Sequence, residues 1–276
     1  MDILVTLNAG YLRPLIVMLT SLLYQHPDQS FSIYVLHRSL TREQFDLLRR
    51  VCPTRCTVIS VEAPKNFLGN APTKRRYPIE MYYRIFAAKL LPERLERIVY
   101  LDPDLVILNP LDALWKLKFE GKLFAAATHT RGESAMGRIN EHRLSMAEGS
   151  SYVNTGVILM NLARLRMEQD EDEVFDYLRT HRLTLMLPDQ DVFNAVYGER
   201  ILLIDTLRYN LSERVFGLYN MRPEQWGHPL DIRWVEEHTC IVHYCGKNKP
   251  WGKNYIGEFD RFYLRYERMA REAGLL

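Results

Sequence analysis

Two carboxylates interrupt the most apolar stretch of this chain. Asp102 and Asp104 lie between residues 98–101 and 105–108, two runs of Val, Ile, Leu and Tyr that are typical of buried strands. Pro103 lacks a backbone donor and fixes φ, so the chain is predicted to turn between the acids. Because ionised carboxylates in apolar surroundings need partners, we expect both at the ligand-binding edge of a buried sheet. A divalent cation carrying a phosphate would pair with them there.

The first half of the chain alternates strand and helix patterns. Thr41 and Gln44 form the capping-box pattern that opens a helix, and Pro78 suits the first turn of another. Strands are predicted at residues 3–7, 32–37, 56–61 and 98–101, and helices at residues 11–24, 41–51 and 78–90. This order predicts an α/β fold in which helices flank a mostly parallel, doubly wound central sheet.

The second half of the chain is less regular. Strands are predicted at residues 123–128, 153–162, 201–204 and 239–244, and helices at residues 173–182, from residue 187 and at residues 258–271. The polar segment 129–150 has the length of a functional loop or lid. Because the last helix has its aromatic residues on one side, we divide the chain into one domain at residues 1–252 and a C-terminal amphipathic helix within residues 253–276.

Composition and cysteine spacing exclude several classes of protein. A net charge of +2 without a basic, aromatic-interleaved stripe argues against a nucleic-acid partner. No CxxC pair occurs among the cysteines, which fits thiols in a reducing cytoplasm better than a zinc or disulfide framework. We expect no signal peptide, because a strand pattern begins at residue 2. We also expect no membrane span, because the longest apolar run, residues 14–23, is too short.

A second informative segment follows the last predicted strand. His243 ends an apolar run, Gly246 permits close backbone approach to a ligand, and Lys247 and Lys249 bracket a turn suited to a phosphate. Taken alone, His243 is more typical of a strand-end histidine with satisfied hydrogen bonds. Together with the two acids it would complete the mixture of oxygen and nitrogen ligands that suits Mn²⁺, with Mg²⁺ as the harder alternative.

These segments, with three others, form an ordered set of motifs. The set comprises Met81-Tyr82-Tyr83-Arg84, Tyr100-Leu101-Asp102-Pro103-Asp104, Tyr152-Val153-Asn154-Thr155-Gly156-Val157, Leu187-Pro188-Asp189-Gln190-Asp191 and residues 243–251. With them and Tyr11, the chain resembles glycosyltransferase family 8 over nearly its whole length. That family contains glycogenin and the bacterial lipooligosaccharide galactosyltransferases and glucosyltransferases, which are retaining enzymes that use Mn²⁺ and UDP-sugars.

The resemblance implies both a fold and an activity. The fold would be the GT-A type, a Rossmann-like nucleotide-diphospho-sugar transferase. The enzyme would move a hexose from UDP-glucose or UDP-galactose to a saccharide or lipid-linked saccharide acceptor, as a step of cell-surface glycan synthesis. Its location would be cytoplasmic, with peripheral contact to the inner face of the plasma membrane through the C-terminal helix as an open alternative to a solvated helix packed on the domain.

The resemblance also implies roles for individual residues. Asp102, Asp104 and His243 would bind Mn²⁺, and Gly246 and Lys249 would contact the diphosphate of UDP. The other residues that would bind the donor nucleotide are Thr6, Asn8, Tyr11 and Pro103. The residues that would surround the donor sugar are Arg84, Asn154, Asp189 and Gln190.

The position implied for Gln190, beside the anomeric carbon, bears on the mechanism. A neutral amide stabilises an oxocarbenium-like centre but is a poor nucleophile, which favours front-face return through a short-lived ion pair. Attack by Asp189, with a covalent intermediate, is the alternative. Plainer interpretations also remain open, with Arg84 in a surface ion pair, Asp189 as a helix cap and Tyr11 packed in the core.

The chain departs from the family pattern in the first loop and after a later strand. The family often has an acid and an asparagine where this chain has Asn8 and Gly10, and an acid where it has His129. The choice between glucose and galactose is therefore open. Two other functions are open alternatives: a haloacid-dehalogenase-like phosphatase with Asp102 as nucleophile, and a non-catalytic nucleotide-sugar-binding protein.

Overall fold

A seven-stranded sheet forms the centre of the computed structural model, which describes residues 1–64, 79–130, 135–221 and 228–276. A second, two-stranded sheet lies within the same described residues. The strands are β1 (Asp2–Thr6), β2 (Phe31–His37), β3 (Cys56–Glu62), β4 (Arg97–Leu101), β5 (Leu105–Ile107), β6 (Phe124–Thr130), β7 (Tyr152–Asn161), β8 (Ile201–Ile204) and β9 (Ile241–His243).

The strand order confirms a large, mostly parallel sheet. It runs β3-β2-β1-β4-β7-β6-β8, and the four strands of the first half are parallel to one another. The doubly wound pattern does not extend through the second half, because β7 is antiparallel to both β4 and β6. β5 leaves this sheet after Asp104 and pairs with β9 in the antiparallel direction.

Helices cover both faces of the large sheet. They are α1 (Leu12–Gln25), α2 (Arg42–Val51), α3 (Ala87–Leu90), α4 (Asp112–Trp115), α5 (Ala135–Leu144), α6 (Leu162–Glu168), α7 (Glu171–Thr180), α8 (Pro188–Tyr197), α9 (Thr206–Tyr209), α10 (Glu213–Asn220), α11 (Ile232–His238) and α12 (Asp260–Glu272). In β1, Ile3 and Val5 pack on the face covered by α1 and α2, while Leu4 packs on the opposite face with α6, α7 and α8. This alternation is the two-residue period of a strand buried on both sides.

Two sequence predictions of local structure were wrong. The predicted helix at residues 78–90 is a 3₁₀ helix, Ile79–Arg84, followed by the short α3, and Pro78 lies outside the described residues. The segment 129–150 is not a plain loop, because it contains α5. The capping box predicted at Thr41 is confirmed, since its hydroxyl accepts from the Gln44 N–H and the Gln44 side chain accepts from the Thr41 N–H.

The C-terminal helix packs on the sheet-covering helix α1. Phe262, Tyr263 and Tyr266 of α12 are buried, and Arg13 of α1 forms a 2.7 Å ion pair with Glu267. The aromatic side of α12 is therefore used inside the protein, and its basic side faces the solvent. Across the described residues, none of the helices combines the length and apolar character that crossing a bilayer requires.

Candidate functional site

An open cleft lies at the carboxyl ends of β1 and β4, two adjacent parallel strands. This is the edge at which open α/β sheets bind ligands. Nine of the residues predicted from the sequence line it: Thr6, Asn8, Tyr11, Arg84, Asp102, Pro103, Asp104, Asp189 and Gln190. Five residues without a predicted role also line it: Leu7, Glu80, Met81, Thr155 and Leu187.

Three strands bring the predicted metal ligands together. Asp102 follows β4, Asp104 precedes β5, and the pairing of Leu105 with His243 places the histidine of β9 beside both acids. His243 Nε2 lies 3.8 Å from Asp102 Oδ2 and 3.5 Å from Asp104 Oδ1. One ligand atom from each residue lies within 4.8 Å of the others. Two carboxylates and an imidazole at this spacing fit a divalent cation such as Mn²⁺ or Mg²⁺.

A glycine on β7 makes room for this cluster. A Cβ at Gly156 would lie 2.2 Å from His243 Cε1 and 2.9 Å from Asp102 Oδ2, closer than non-bonded atoms approach. The Gly156 carbonyl also accepts a 2.8 Å hydrogen bond from the Asp102 N–H. The absence of a side chain at this position is therefore a condition for Asp102 and His243 to face the same point.

Lys249 contacts the cluster at Asp104. Its ammonium donates to Asp104 Oδ2 and, at 2.7 Å, to the Tyr244 carbonyl. Burial would raise the pKa of Asp104, but Lys249 and His243 outweigh burial and hold that pKa well below its usual range. Gly246 has a φ of +85°, in the left-handed region that favours glycine, and it turns the chain between Tyr244 and Lys249.

Arg84 joins the cluster to the start of α8. Its Nη1 lies 3.0 Å from Asp102 Oδ1, its Nε lies 3.4 Å from Asp189 Oδ2, and the guanidinium stacks 4.5 Å from the centre of the Tyr100 ring. Arg84 is buried, so the interpretation as a surface ion pair was wrong. Tyr100 donates to Asp102 Oδ1 at 2.5 Å and hydrogen-bonds Thr6 Oγ1 at 3.0 Å.

Asp189 has the electrostatic environment of a functional carboxyl. It is buried in the first turn of α8, whose N-cap position belongs to Leu187, so it is not the cap of that helix. Burial raises the pKa of Asp189 to about 6, Arg84 opposes that shift, and the negative charge of Asp102 adds to it. A carboxyl with such a pKa, in a cleft and next to a positive charge, is a candidate for chemistry.

Asp191 holds the first turn of α8 in place, a role that the sequence did not indicate. It is fully buried and accepts from Arg143 Nη1 at 2.7 Å, from the Tyr152 hydroxyl at 2.6 Å and from the Met186 and Leu187 N–H groups at 2.7 and 3.0 Å. These bonds fix the turn that presents Asp189 and Gln190. In the sequence, the only indication of this role was that Asp191 is the second acid of the triplet Asp189-Gln190-Asp191.

The first loop presents Asn8 and Tyr11 to the cleft. Asn8 Oδ1 already accepts from the Gly10 N–H at 3.0 Å, so one oxygen lone pair remains for a ligand. Tyr11 is 37% exposed and meets Trp251 edge to face, with ring centres 6.4 Å apart. Tyr11 is thus not a core residue, and it forms part of the cleft lining. The side chain of His129 lies outside what the structure describes.

Two of the predicted site residues, Asn154 and His243, lie behind the cleft wall. They are connected by Asn210, a buried residue that the sequence analysis missed. Asn210 follows the short helix α9, and no local pattern marks it, because its partners are distant in the chain. A buried amide needs partners, but the sequence does not show where such an amide is buried.

Comparison with known proteins identifies one family, whose model covers all of the candidate site residues. The model of "Glycosyl transferase family 8" matches residues 2–255. A lipopolysaccharide 1,2-glucosyltransferase of Escherichia coli is 24% identical over 85% of this chain and 68% of its own length. A lipopolysaccharide 1,3-galactosyltransferase of Salmonella typhimurium is 23% identical over the same shares of both chains.

A solved structure shows the same fold. The galactosyltransferase LgtC, crystallised with donor and acceptor sugar analogues, superposes with a TM-score of 0.81 over 100% of both chains, at 20% identity. At this identity the likeness concerns the fold. The mixed α/β architecture with a mostly parallel central sheet is therefore shared with a known galactosyltransferase.

Proposed function

This chain belongs to glycosyltransferase family 8, and on that premise we propose that it is a retaining hexosyltransferase that uses Mn²⁺. It transfers glucose or galactose from UDP-glucose or UDP-galactose to a saccharide or lipid-linked saccharide acceptor. The observation that carries the proposal is the meeting of Asp102, Asp104 and His243 beside a cleft that Arg84 and Asp189 also line. The lipopolysaccharide relatives support a glycan acceptor at the cell surface.

Charge complementarity supports binding of a nucleotide diphosphate beside the cluster. A divalent cation held there would neutralise the charge that develops on the departing diphosphate. Lys249 is half-buried beside Asp104 and supplies a second positive charge next to the same place. Gly246, on the same turn, lets the backbone approach the phosphates. Interactions that strengthen as the leaving group gains charge accelerate the reaction, rather than only binding the donor.

The start of α8 suits the reacting carbon of the sugar. Gln190 lines the cleft, and its Oε1 accepts from Asn154 Nδ2 at 3.2 Å and from the Thr155 N–H at 3.3 Å. An amide held in this way is a fixed dipole and a poor nucleophile, which supports front-face departure and return. In that step the sugar C1–oxygen bond to UDP breaks, the acceptor oxygen bonds to C1 on the same face, and the acceptor proton passes to the departing diphosphate.

Asp189 remains the alternative nucleophile. Its carboxyl faces Arg84 at 3.4 Å, so an ionised Asp189 is paired rather than free. A pKa near 6 means that the carboxylate predominates at neutral pH. Pairing with Arg84 lowers its nucleophilicity but preserves its charge, which would stabilise positive charge on the sugar. We therefore assign Asp189 to electrostatic stabilisation.

The compartment and the membrane contact remain proposals. The spacing of the four cysteines, none of which forms a CxxC pair, supports a reducing compartment such as the cytoplasm. The exposed side of α12 carries Arg261, Arg265, Arg268 and Arg271, which supports contact with an anionic surface near a lipid-linked acceptor. The buried aromatic side of α12 means that any such contact is electrostatic rather than inserted.

One experiment tests the proposed reaction. UDP release is measured with UDP-glucose and UDP-galactose in parallel, each with Mn²⁺ and with EDTA, for the wild type and for Asp104→Ala. Turnover of one donor that is lost both with EDTA and in the variant is the expected result, and it identifies the sugar. UDP release that survives EDTA would contradict the metal assignment. Release of inorganic phosphate instead of UDP would favour the phosphatase alternative.

A further inference from the structure

A chain of hydrogen bonds runs behind the metal-binding cluster and ends in the cleft. His243 Nδ1 lies 2.8 Å from Asn210 Oδ1, Asn210 Nδ2 donates to Asn154 Oδ1 at 3.0 Å, and Asn154 Nδ2 donates to Gln190 Oε1 at 3.2 Å. Asn210 is fully buried, and His243 is 3% exposed. Two side-chain amides therefore connect a candidate metal ligand to the Gln190 amide, which lines the cleft.

Backbone donors set the direction of this chain at the Gln190 end. The Thr155 N–H donates to Gln190 Oε1 at 3.3 Å, and the Gly156 N–H donates to Asn154 Oδ1 at 3.0 Å. A backbone N–H only donates, so the atoms that it meets are oxygens. Asn154 must therefore turn its NH₂ group towards Gln190 and its oxygen towards Asn210.

The same logic extends to the histidine. Because Asn154 presents an oxygen, Asn210 must donate to it with Nδ2 and turn Oδ1 towards His243. A neutral His243 must then carry its proton on Nδ1, and the lone pair of Nε2 points towards Asp102 and Asp104. The backbone of β7 thus selects, through two amides, the tautomer whose Nε2 lone pair can ligate a cation held by the two acids.

The backbone beside Asn210 holds it in register with β9. The Leu211 N–H donates to the Ile241 carbonyl at 3.1 Å, and the His243 N–H donates to the Leu211 carbonyl at 2.8 Å. These two bonds fix Leu211 opposite the strand that carries His243. The side chain of Asn210 is therefore placed by main-chain pairing and does not depend on a flexible loop.

We propose that Asn210 is a positioning residue, which fixes the metal-ligating tautomer of His243 and connects this ligand to Asn154 and Gln190. The part of the proposal that concerns the metal and the sugar rests on the proposed function. The part that concerns the tautomer rests on the hydrogen bonds alone. Partners that orient a ligating histidine are typically worth about 10- to 100-fold in metal affinity.

The first test measures Mn²⁺ affinity without nucleotide, from the loss of the electron paramagnetic resonance signal of free Mn²⁺ on binding. Asn210→Ala removes both hydrogen bonds and is expected to weaken binding at least tenfold. Asn210→Asp retains the acceptor for His243 and is expected to bind Mn²⁺ at least as well as the wild type. Its carboxylate would face Asn154 Oδ1, so UDP-sugar turnover is expected to fall although metal binding persists.

The matched control is Asn194→Ala. Asn194 is also fully buried and also bonds β7, through the Val153 N–H and carbonyl at 2.6 and 2.9 Å. Its remaining hydrogen bond goes to the Gln190 backbone carbonyl at 2.8 Å, so among the described hydrogen bonds of Asn194 none goes to His243. Its loss should lower stability without changing Mn²⁺ affinity. Unchanged affinity in Asn210→Ala, or an equal loss of affinity in Asn194→Ala, would overturn the proposal.

The second test reads the tautomer in the metal-free protein, through long-range ¹H–¹⁵N correlation of ¹⁵N-labelled histidines at alkaline pH. The wild type and Asn210→Asp should show His243 protonated on Nδ1, and Asn210→Ala should show a mixture of tautomers. A mixture already present in the wild type would overturn the proposal. If the wild type bound no Mn²⁺, the proposed function would fail, while this spectrum would still decide the role of Asn210.

Discussion

The ammonium of Lys249 is hydrogen-bonded to Asp104, the same carboxylate that faces His243 across 3.5 Å. Lys249 therefore neutralises part of the negative charge of Asp104 to which a cation would bind. A bound metal and Lys249 compete for this carboxylate, and a diphosphate that binds both of them would relieve the competition. Metal and nucleotide binding should consequently be coupled.

Replacing Lys249 by Met tests this coupling. The affinity for Mn²⁺ without nucleotide should rise about tenfold, or about 1.4 kcal/mol, because the competing charge is gone. The affinity for UDP with saturating Mn²⁺ should fall by a similar factor. Calorimetric titration measures both. Lys247→Met is the control, since Lys247 is exposed and should leave metal binding unchanged. Weaker Mn²⁺ binding in Lys249→Met would show that the lysine assists rather than competes.

Replacing Gly156 by Ala tests the space that the cluster requires. The new Cβ would lie 2.2 Å from His243 Cε1, so the ring or β7 must move. We expect a loss of stability of about 1–3 kcal/mol and a loss of Mn²⁺ affinity of more than tenfold. Urea unfolding and Mn²⁺ titration measure the two effects.

The control for Gly156→Ala is Gly217→Ala. Gly217 lies in α10, and nothing lies within 4 Å of a Cβ added there. This substitution should raise stability by roughly 0.5–1 kcal/mol, because alanine is the better helix former, and leave Mn²⁺ binding unchanged. Wild-type metal affinity in Gly156→Ala would mean that His243 is not a ligand.

Replacing Gln190 by Ala separates binding from chemistry. The variant loses the amide that we propose lies beside the sugar but none of the candidate metal or diphosphate ligands. Turnover should fall roughly 100-fold, in the range found for the loss of one preorganised dipole, with UDP affinity within about twofold of the wild type. Steady-state kinetics and UDP titration decide between the two effects. A loss that appears mainly in UDP affinity would place Gln190 in nucleotide binding instead.

The raised pKa of Asp189 predicts a pH dependence of stability for the metal-free protein. The carboxyl titrates near 3.8 when unfolded and near 6 when folded, so between these values the folded state binds more protons. The contribution of Asp189 to stability is therefore complete below about pH 4 and is lost as the pH rises through about 6. The loss at neutral pH is about 3 kcal/mol, since one pKa unit is 1.36 kcal/mol.

Asp189→Asn should remove this slope and stabilise the metal-free protein above about pH 6. Thermal unfolding across pH 4–8 measures the difference from the wild type. Asp176→Asn, an exposed carboxylate paired with Arg179 on α7, is the control and should change the profile little. Parallel profiles for the wild type and Asp189→Asn would mean that the carboxyl is not desolvated in solution.

Much of the fold could be predicted because short-range patterns of residues in the sequence determine it. The apolar runs of β1 to β4 gave strands within one or two residues of their ends, and the capping box at Thr41 began α2 where expected. Residues 79–84 were predicted as part of one longer helix and form a 3₁₀ helix instead, and the helix α5 was missed. Their patterns are weak, and packing against the rest of the protein decides their form.

The sequence by itself determined that two acids end a buried strand, that a histidine ends another, and that a glycine turn with a lysine follows. These are local facts of burial, turn chemistry and residue type. Only the tertiary structure decided that β9 pairs with β5, so that His243 meets Asp104, and that β7 runs antiparallel beside β4, so that Gly156 makes room for them. The positions of Arg84 between two acids and of Asn210 behind His243 depend in the same way on strand order. Contacts between residues distant in the chain follow from packing and pairing across the whole sheet, and no local pattern records them.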